Sequence, residues 1–102
     1  MTSPSSSGAL EAVERILNRG GDAHDVLRQV VDVLHARTGA WVAIAFDSEL
    51  GPNAGGEKPG DHQRHPIVWQ GETVAELWTS SEADPALCAR VAVIVSPYCA
   101  PH

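Results

Sequence analysis

A chain of 102 residues with 43% hydrophobic content has room for one domain and one modest core. Thirteen Asp and Glu against seven Lys and Arg leave a formal charge of -6, a field that repels phosphate backbones and anionic headgroups, so neither nucleic acid nor a membrane is expected as a partner. The opening MTSPSSSG lacks the basic and apolar regions of a secretory signal, and the longest strongly apolar run, Ala40 to Phe46, is far too short to span a bilayer, which together predict a soluble cytoplasmic protein.

Residues 1–7 are Ser-rich with almost nothing to bury and read as a mobile tail; the domain is expected over residues 8–102. From Gly8 onward, Leu10, Val13, Ile16 and Leu17 recur at helical spacing until Gly20-Gly21 stops the pattern. Asp22 is placed to cap a second helix, whose apolar stripe of Val26, Leu27, Val30, Val31 and Leu34 ends at Thr38-Gly39. Ala40 to Phe46, AWVAIAF, is a continuous apolar run rich in Trp, Val, Ile and Phe, which predicts a central strand covered on both faces.

Asp47 to Leu50 can begin a return strand, but Gly51 to Arg64 holds four Gly and two Pro among mostly polar residues and reads as a loop. HPIVWQGETVAELW, residues 65–78, then reads as a hairpin turning at Gln70-Gly71 or one position later. Asp84-Pro85 is a helix start with a capping carboxylate and proline in the first turn. Leu87, Val91, Ile94, Val95 and Tyr98 give that last helix its core-facing stripe, with Pro97 either kinking it or ending it near Val95 or Ser96.

A simple two-residue turn pairs odd positions of the first hairpin strand with even positions of the second. One face then carries His65, Ile67, Trp69, Glu72, Val74, Glu76 and Trp78, and the other Pro66, Val68, Thr73, Ala75, Leu77 and Thr79. Helices lie naturally on the compact second face, which turns the tryptophan face outward. Two buried tryptophans hide roughly 300 to 500 Å² between them, so a cover is expected: the 51–64 loop folding back, a second subunit or a small ligand, in that order.

The order helix, helix, central strand, loop, hairpin, helix resembles a GAF domain, the small-molecule-sensing relative of PAS folds. PIVWQGETVAELW looks like the family's late hairpin, DPALCARVAVIVSPYCAP is similar to the helix that follows, and DVLRQVVDVLHARTGAWVAIAFDSE resembles the opening helix and first strand. The likeness covers about residues 9–98. It implies an α+β fold: an antiparallel sheet of about four strands, with two N-terminal helices and one C-terminal helix packed on one face. Full GAF domains are longer by some forty residues or more, and the segments that wall their cyclic-nucleotide and tetrapyrrole pockets have shrunk here to Gly51 through Arg64. The resemblance therefore brings no cofactor residue with it. Family members that reduce free methionine sulfoxide use cysteines in the missing segment, which Cys88 and Cys99 do not match.

The chemistry-bearing residues support no enzyme. Cys88 and Cys99 are eleven residues apart; on one helix that is about 16 Å of rise, beyond disulfide reach, and nearly three full turns, so both point to one side as core thiols. His62 and His65 form an HxxH spacing, but beside a Gly/Pro loop and Pro66 they lack the helix that makes it a metal site. The glycines at 51, 55, 56 and 60 match neither a P-loop nor a dinucleotide fingerprint. Thr79, Ser80 and Ser81 lack a nucleophile elbow, and His24 and His35 read as solvated helix residues. His65 and Glu76, as cross-strand neighbours, form a hydrogen-bonded pair more readily than an acid/base couple.

The expectation is thus a non-catalytic sensory or regulatory module without cofactor or metal, homodimeric through its helices. Its ligand-binding or interface face is His65, Ile67, Trp69, Val74, Glu76 and Trp78. The alternative is a pure protein-interaction module that binds another polypeptide, or its own copy, through the same aromatic face.

Overall fold

The computed structural model describes residues 4–47 and 49–100, with side chains from residue 8 onward. The chain is α+β, with three helices on one face of a four-stranded antiparallel sheet of order β2-β1-β4-β3. Helix α1 spans Pro4–Arg19 and starts four residues before Gly8, because proline's fixed φ suits a first helical turn where its missing N–H has no partner to lose. The expected mobile tail is thereby shortened, and its first three residues lie outside the described ones.

Helix α2, Ala23–Thr38, is bounded as its sequence dictates. Asp22 accepts from the Asp25 amide at 3.4 Å, and Gly39, in the left-handed region at φ 75°, donates its N–H to the His35 carbonyl at 2.8 Å. Helix α3, Pro85–Cys99, begins where the Asp84 carboxylate accepts from the Ala86 amide at 3.0 Å. It runs through Pro97 instead of ending before it. Proline has no N–H for the Val93 carbonyl one turn back; the Ser96 hydroxyl donates to that carbonyl instead, at 2.8 Å.

Strand β1, Val42–Phe46, is central, flanked by β2, Glu49–Ala54, and by β4, Glu72–Ser80. Strand β3, His62–Trp69, completes the sheet beside β4. The expected loop over 51–64 is therefore shorter: residues 51–54 extend β2, 62–64 open β3, and only 55–61 connect them. Gly-Pro survives within β2 because the register slips there, with Gly51 and Pro52 together opposite Ile44. A Cβ on Gly51 would stand 2.6 Å from the Ile44 carbonyl oxygen, so the bulge admits no other residue without movement. Pro52 and Pro66 sit on the two edge strands.

The main core lies between helices and sheet. Val42 and Ile44 of β1, Ile67 of β3 and Ala75 and Leu77 of β4 meet Val13 of α1, Val26, Val30 and Val31 of α2, and Val91 and Val95 of α3. Cys88 and Cys99 are buried members of the same cluster, as their spacing on α3 requires. Tyr98 ties α3 to α1 by donating its hydroxyl to the Leu17 carbonyl at 3.0 Å.

Candidate functional site

The hairpin turns at Gln70-Gly71, both at positive φ (52° and 83°), the two-residue turn whose twist matches that of the strands. Beyond the turn the simple register fails. Trp69 pairs with Glu72 and Val68 with Thr73, but Ile67 pairs with Ala75, which leaves Val74 as an extra residue in β4. At this bulge Val74 and Ala75 both pack toward the helical core.

One added residue inverts the parity of β3 relative to β4. Glu76 and Trp78 do face away from the helices. His65 and Ile67, however, stand opposite Leu77 and Ala75 on the helical side, and alternation carries Trp69 with them. The six residues expected to share one face, His65, Ile67, Trp69, Val74, Glu76 and Trp78, are thus divided. Only Glu76 and Trp78 remain outward, where Arg64 and Pro66 are their cross-strand neighbours. His65 and Glu76 do not meet. His65 Nε2 lies 3.1 Å from Gln63 Oε1, and Glu76 accepts from the Trp78 indole at 3.1 Å.

The outer face has a cluster of its own, in which Ala43 and Ala45 of β1 and Trp41, just before that strand, sit beside Trp78 of β4. Trp41 and Trp78 are only 5% and 3% exposed. They are covered by side chains from the start of β3 and from residues 55–61, whereas Trp69, the other indole for which a cover was expected, is not in this cluster. His62, at the loop's exit, lies between the two indoles, with ring centroids 4.9 Å from Trp78 and 6.1 Å, edge-on, from Trp41. The Arg64 guanidinium and Lys58 ammonium stand over the Trp78 ring at 4.6 and 5.4 Å. Each such cation adds on the order of 0.5–1 kcal/mol at an exposed site.

The loop's entry is tightly seated. A Cβ on Gly55, whose φ is 110°, would stand 2.9 Å from Trp41 Cα and 3.0 Å from His35 Nδ1. His35 is half-buried, not solvated, and its Nδ1 lies 2.9 Å from the Ala40 carbonyl. Trp41 is fixed from below by a main-chain pair with Ser80: the Ser80 amide donates to the Trp41 carbonyl and the Trp41 amide to the Ser80 hydroxyl, both at 3.0 Å. Gln63 braces the exit by donating to the Ala83 carbonyl at 2.8 Å.

Two nitrogens in this cluster are buried without a hydrogen-bond partner among the described residues, Trp41 Nε1 and His62 Nδ1. Arg64 Nε donates to His62 Nε2 at 3.2 Å, so that nitrogen offers a lone pair and the ring proton sits on Nδ1. Both orphans are therefore donors. Left dry, each costs about 1–3 kcal/mol.

An open cleft of about 540 Å³ lies at the far end of the fold among His24, Phe46, Asp47, Glu72 and Tyr98. Cys99 lines it, but burial pushes that thiol up to about 12, far from a reactive thiolate at neutral pH. The Cys88 thiol is likewise raised, chiefly by burial and despite its contact with Thr79 Oγ1 at 3.6 Å. His62 and His65 point to opposite faces of β3, which separates the HxxH pair. Among the described residues, no group of three His, Cys, Asp or Glu is placed to hold a metal ion, and no helix is long and apolar enough to cross a membrane.

Sequence reasoning missed Trp41, Lys58, His62 and Arg64 as partners of Trp78. The available signal was the alternation within β1: Trp41, Ala43 and Ala45 at one parity, Val42 and Ile44 at the other, with the alanines leaving room beside large rings. Compared with known proteins, the chain matches no family model, no curated protein and no solved structure.

Proposed function

We propose that the chain is a non-catalytic sensory or regulatory module of GAF type, whose small-ligand side is the outer sheet face beneath residues 55–61. The observation that carries this reading is the Trp41–His62–Trp78 cluster: two indoles turned away from the helices, with His62 of β3 packed against both and Lys58, from a stretch that begins at two glycines of positive φ and carries no regular structure, over one. The layering, with helices on one face only, is the one a shortened GAF domain implies. Two thiols held protonated by burial weigh against a cysteine enzyme.

The mechanism is a population shift between loop-closed and loop-open forms, with a ligand stabilising whichever form it binds more tightly. Intrinsic tryptophan emission tests it, since both clustered indoles sit under the loop. A metabolite panel is expected to contain at least one compound that shifts the emission saturably; a flat response across the panel removes the ligand reading.

A homodimer through the helices is the second reading, favoured by Val93, which lies 69% exposed on α3. Light scattering after size exclusion is expected to report twice the chain mass, reduced to one chain by Val93→Glu. A monomeric parent chain rules this arrangement out.

A further inference from the structure

We propose that Trp41 Nε1 and His62 Nδ1 form the donor pair of a binding site for a small carboxylate beneath residues 55–61. The inference rests on the ligand-side reading above and names the chemistry of its occupant. Buried polar groups in folded proteins are nearly always paired, and here two N–H donors in one cluster are not. An indole N–H can only donate, and the Arg64 contact at Nε2 leaves His62 Nδ1 donating as well. The complement of two donors is an acceptor.

The same cluster satisfies its other polar groups internally. The Trp78 indole reaches Glu76 and the Trp41 main chain reaches Ser80, so the missing partners belong to Trp41 Nε1 and His62 Nδ1. Lys58 and Arg64 both stand at the Trp78 ring and supply local positive charge against the chain's net charge of -6, which is the ground for naming an anion. A carboxylate is acceptor-only and offers two oxygens. A buried water also accepts two hydrogen bonds, and the experiment distinguishes it from a carboxylate. The Trp41 and His62 rings lie edge to face with centroids 6.1 Å apart, so the two donors belong to neighbouring side chains.

The experiment uses the full chain, labelled with nitrogen-15 and titrated with sodium acetate against sodium chloride at equal ionic strength. The indole N–H resonances are read and assigned with Trp→Phe variants. Acetate is expected to move the Trp41 resonance downfield saturably while the Trp69 resonance stays in place, and chloride is expected to leave both unmoved. Trp41→Phe, read at the Trp78 resonance, and Lys58→Ala, read at Trp41, are each expected to weaken acetate binding roughly tenfold or more. Lys58 is exposed, so its variant keeps the measurement interpretable if Trp41→Phe fails to fold.

Equal drift in acetate and chloride overturns the proposal. So does a Trp41 resonance that ignores acetate but shows magnetisation transfer from a buried water. If a neutral compound from the panel moves Trp41 while acetate does not, the carboxylate assignment fails and the ligand-side reading stands; silence from every compound ends both.

Discussion

The two faces of the sheet are built on different terms. On the helical side, a large apolar cluster drawn from all three helices and three strands meets at Ile44, Ile67 and Leu77, and each member has many neighbours of the same kind. On the outer side, four residues make up the buried cluster, and their cover is one imidazole, two cations and a stretch of loop. The first face depends on periodicity repeated along every element. The second depends on a few individual contacts, two of whose nitrogens are left without partners. A fold with this asymmetry can change the occupant of one face without disturbing the other.

Adjacent residues of β4 sharpen the contrast most strongly. Leu77→Ala empties the helical core and is expected to cost about 2–5 kcal/mol in urea unfolding. That change should leave a cooperative transition whose midpoint alone has moved; loss of cooperativity would show the core to be less unified than its packing implies. Gly55→Val comes next, at about 1–3 kcal/mol. Its side chain collides with Trp41 and His35, so the loop should lift and tryptophan emission should move to the red. Gly56→Ala shares the positive φ but meets nothing within 4 Å, so it should leave emission unchanged.

Within the outer cluster, Trp78→Phe breaks the bond to Glu76, whereas Trp41→Phe removes a donor that has no acceptor. In chloride buffer the first should cost about 1 kcal/mol more than the second, and equal losses would mean that Trp41 is satisfied in solution.

One effect is silent at neutral pH and appears only in alkali. The Cys99 thiol titrates near 12 in the fold, against an ordinary value of 9.0. An unfolded chain therefore releases this proton first: stability is unaffected below about 9 and falls as pH rises from there toward 12. Cys99→Ala should flatten that decline, in melting temperatures recorded across the range.

The helical face was the legible one. Asp22, Gly39 and Asp84-Pro85 announce their helices because capping chemistry is local, and the apolar stripes follow from the helical repeat alone. The turn was legible to within one position, and it falls at Gln70-Gly71. The bulge at Thr73-Val74 was not, since neither residue is a glycine and nothing local distinguishes an extra strand residue from an ordinary one. That single insertion moved His65, Ile67 and Trp69 to the opposite side from their expected place. Residues 51–54 were read as loop because Gly and Pro disfavour regular strands, and only the register slip beside Ile44 accommodates them. Trp41 was expected inside the strand but lies just before it, and its partnership with His62 spans 21 positions and depends on how the chain closes over it, which no periodicity encodes.

Pro52 and Pro66 bear on how copies of this chain can assemble. Each lies in a marginal strand, where an amide directed outward would invite a neighbouring strand to add on, and proline has none to offer. Lengthening the sheet from one molecule into the next is thereby discouraged along both borders, which guards the chain against fibril growth.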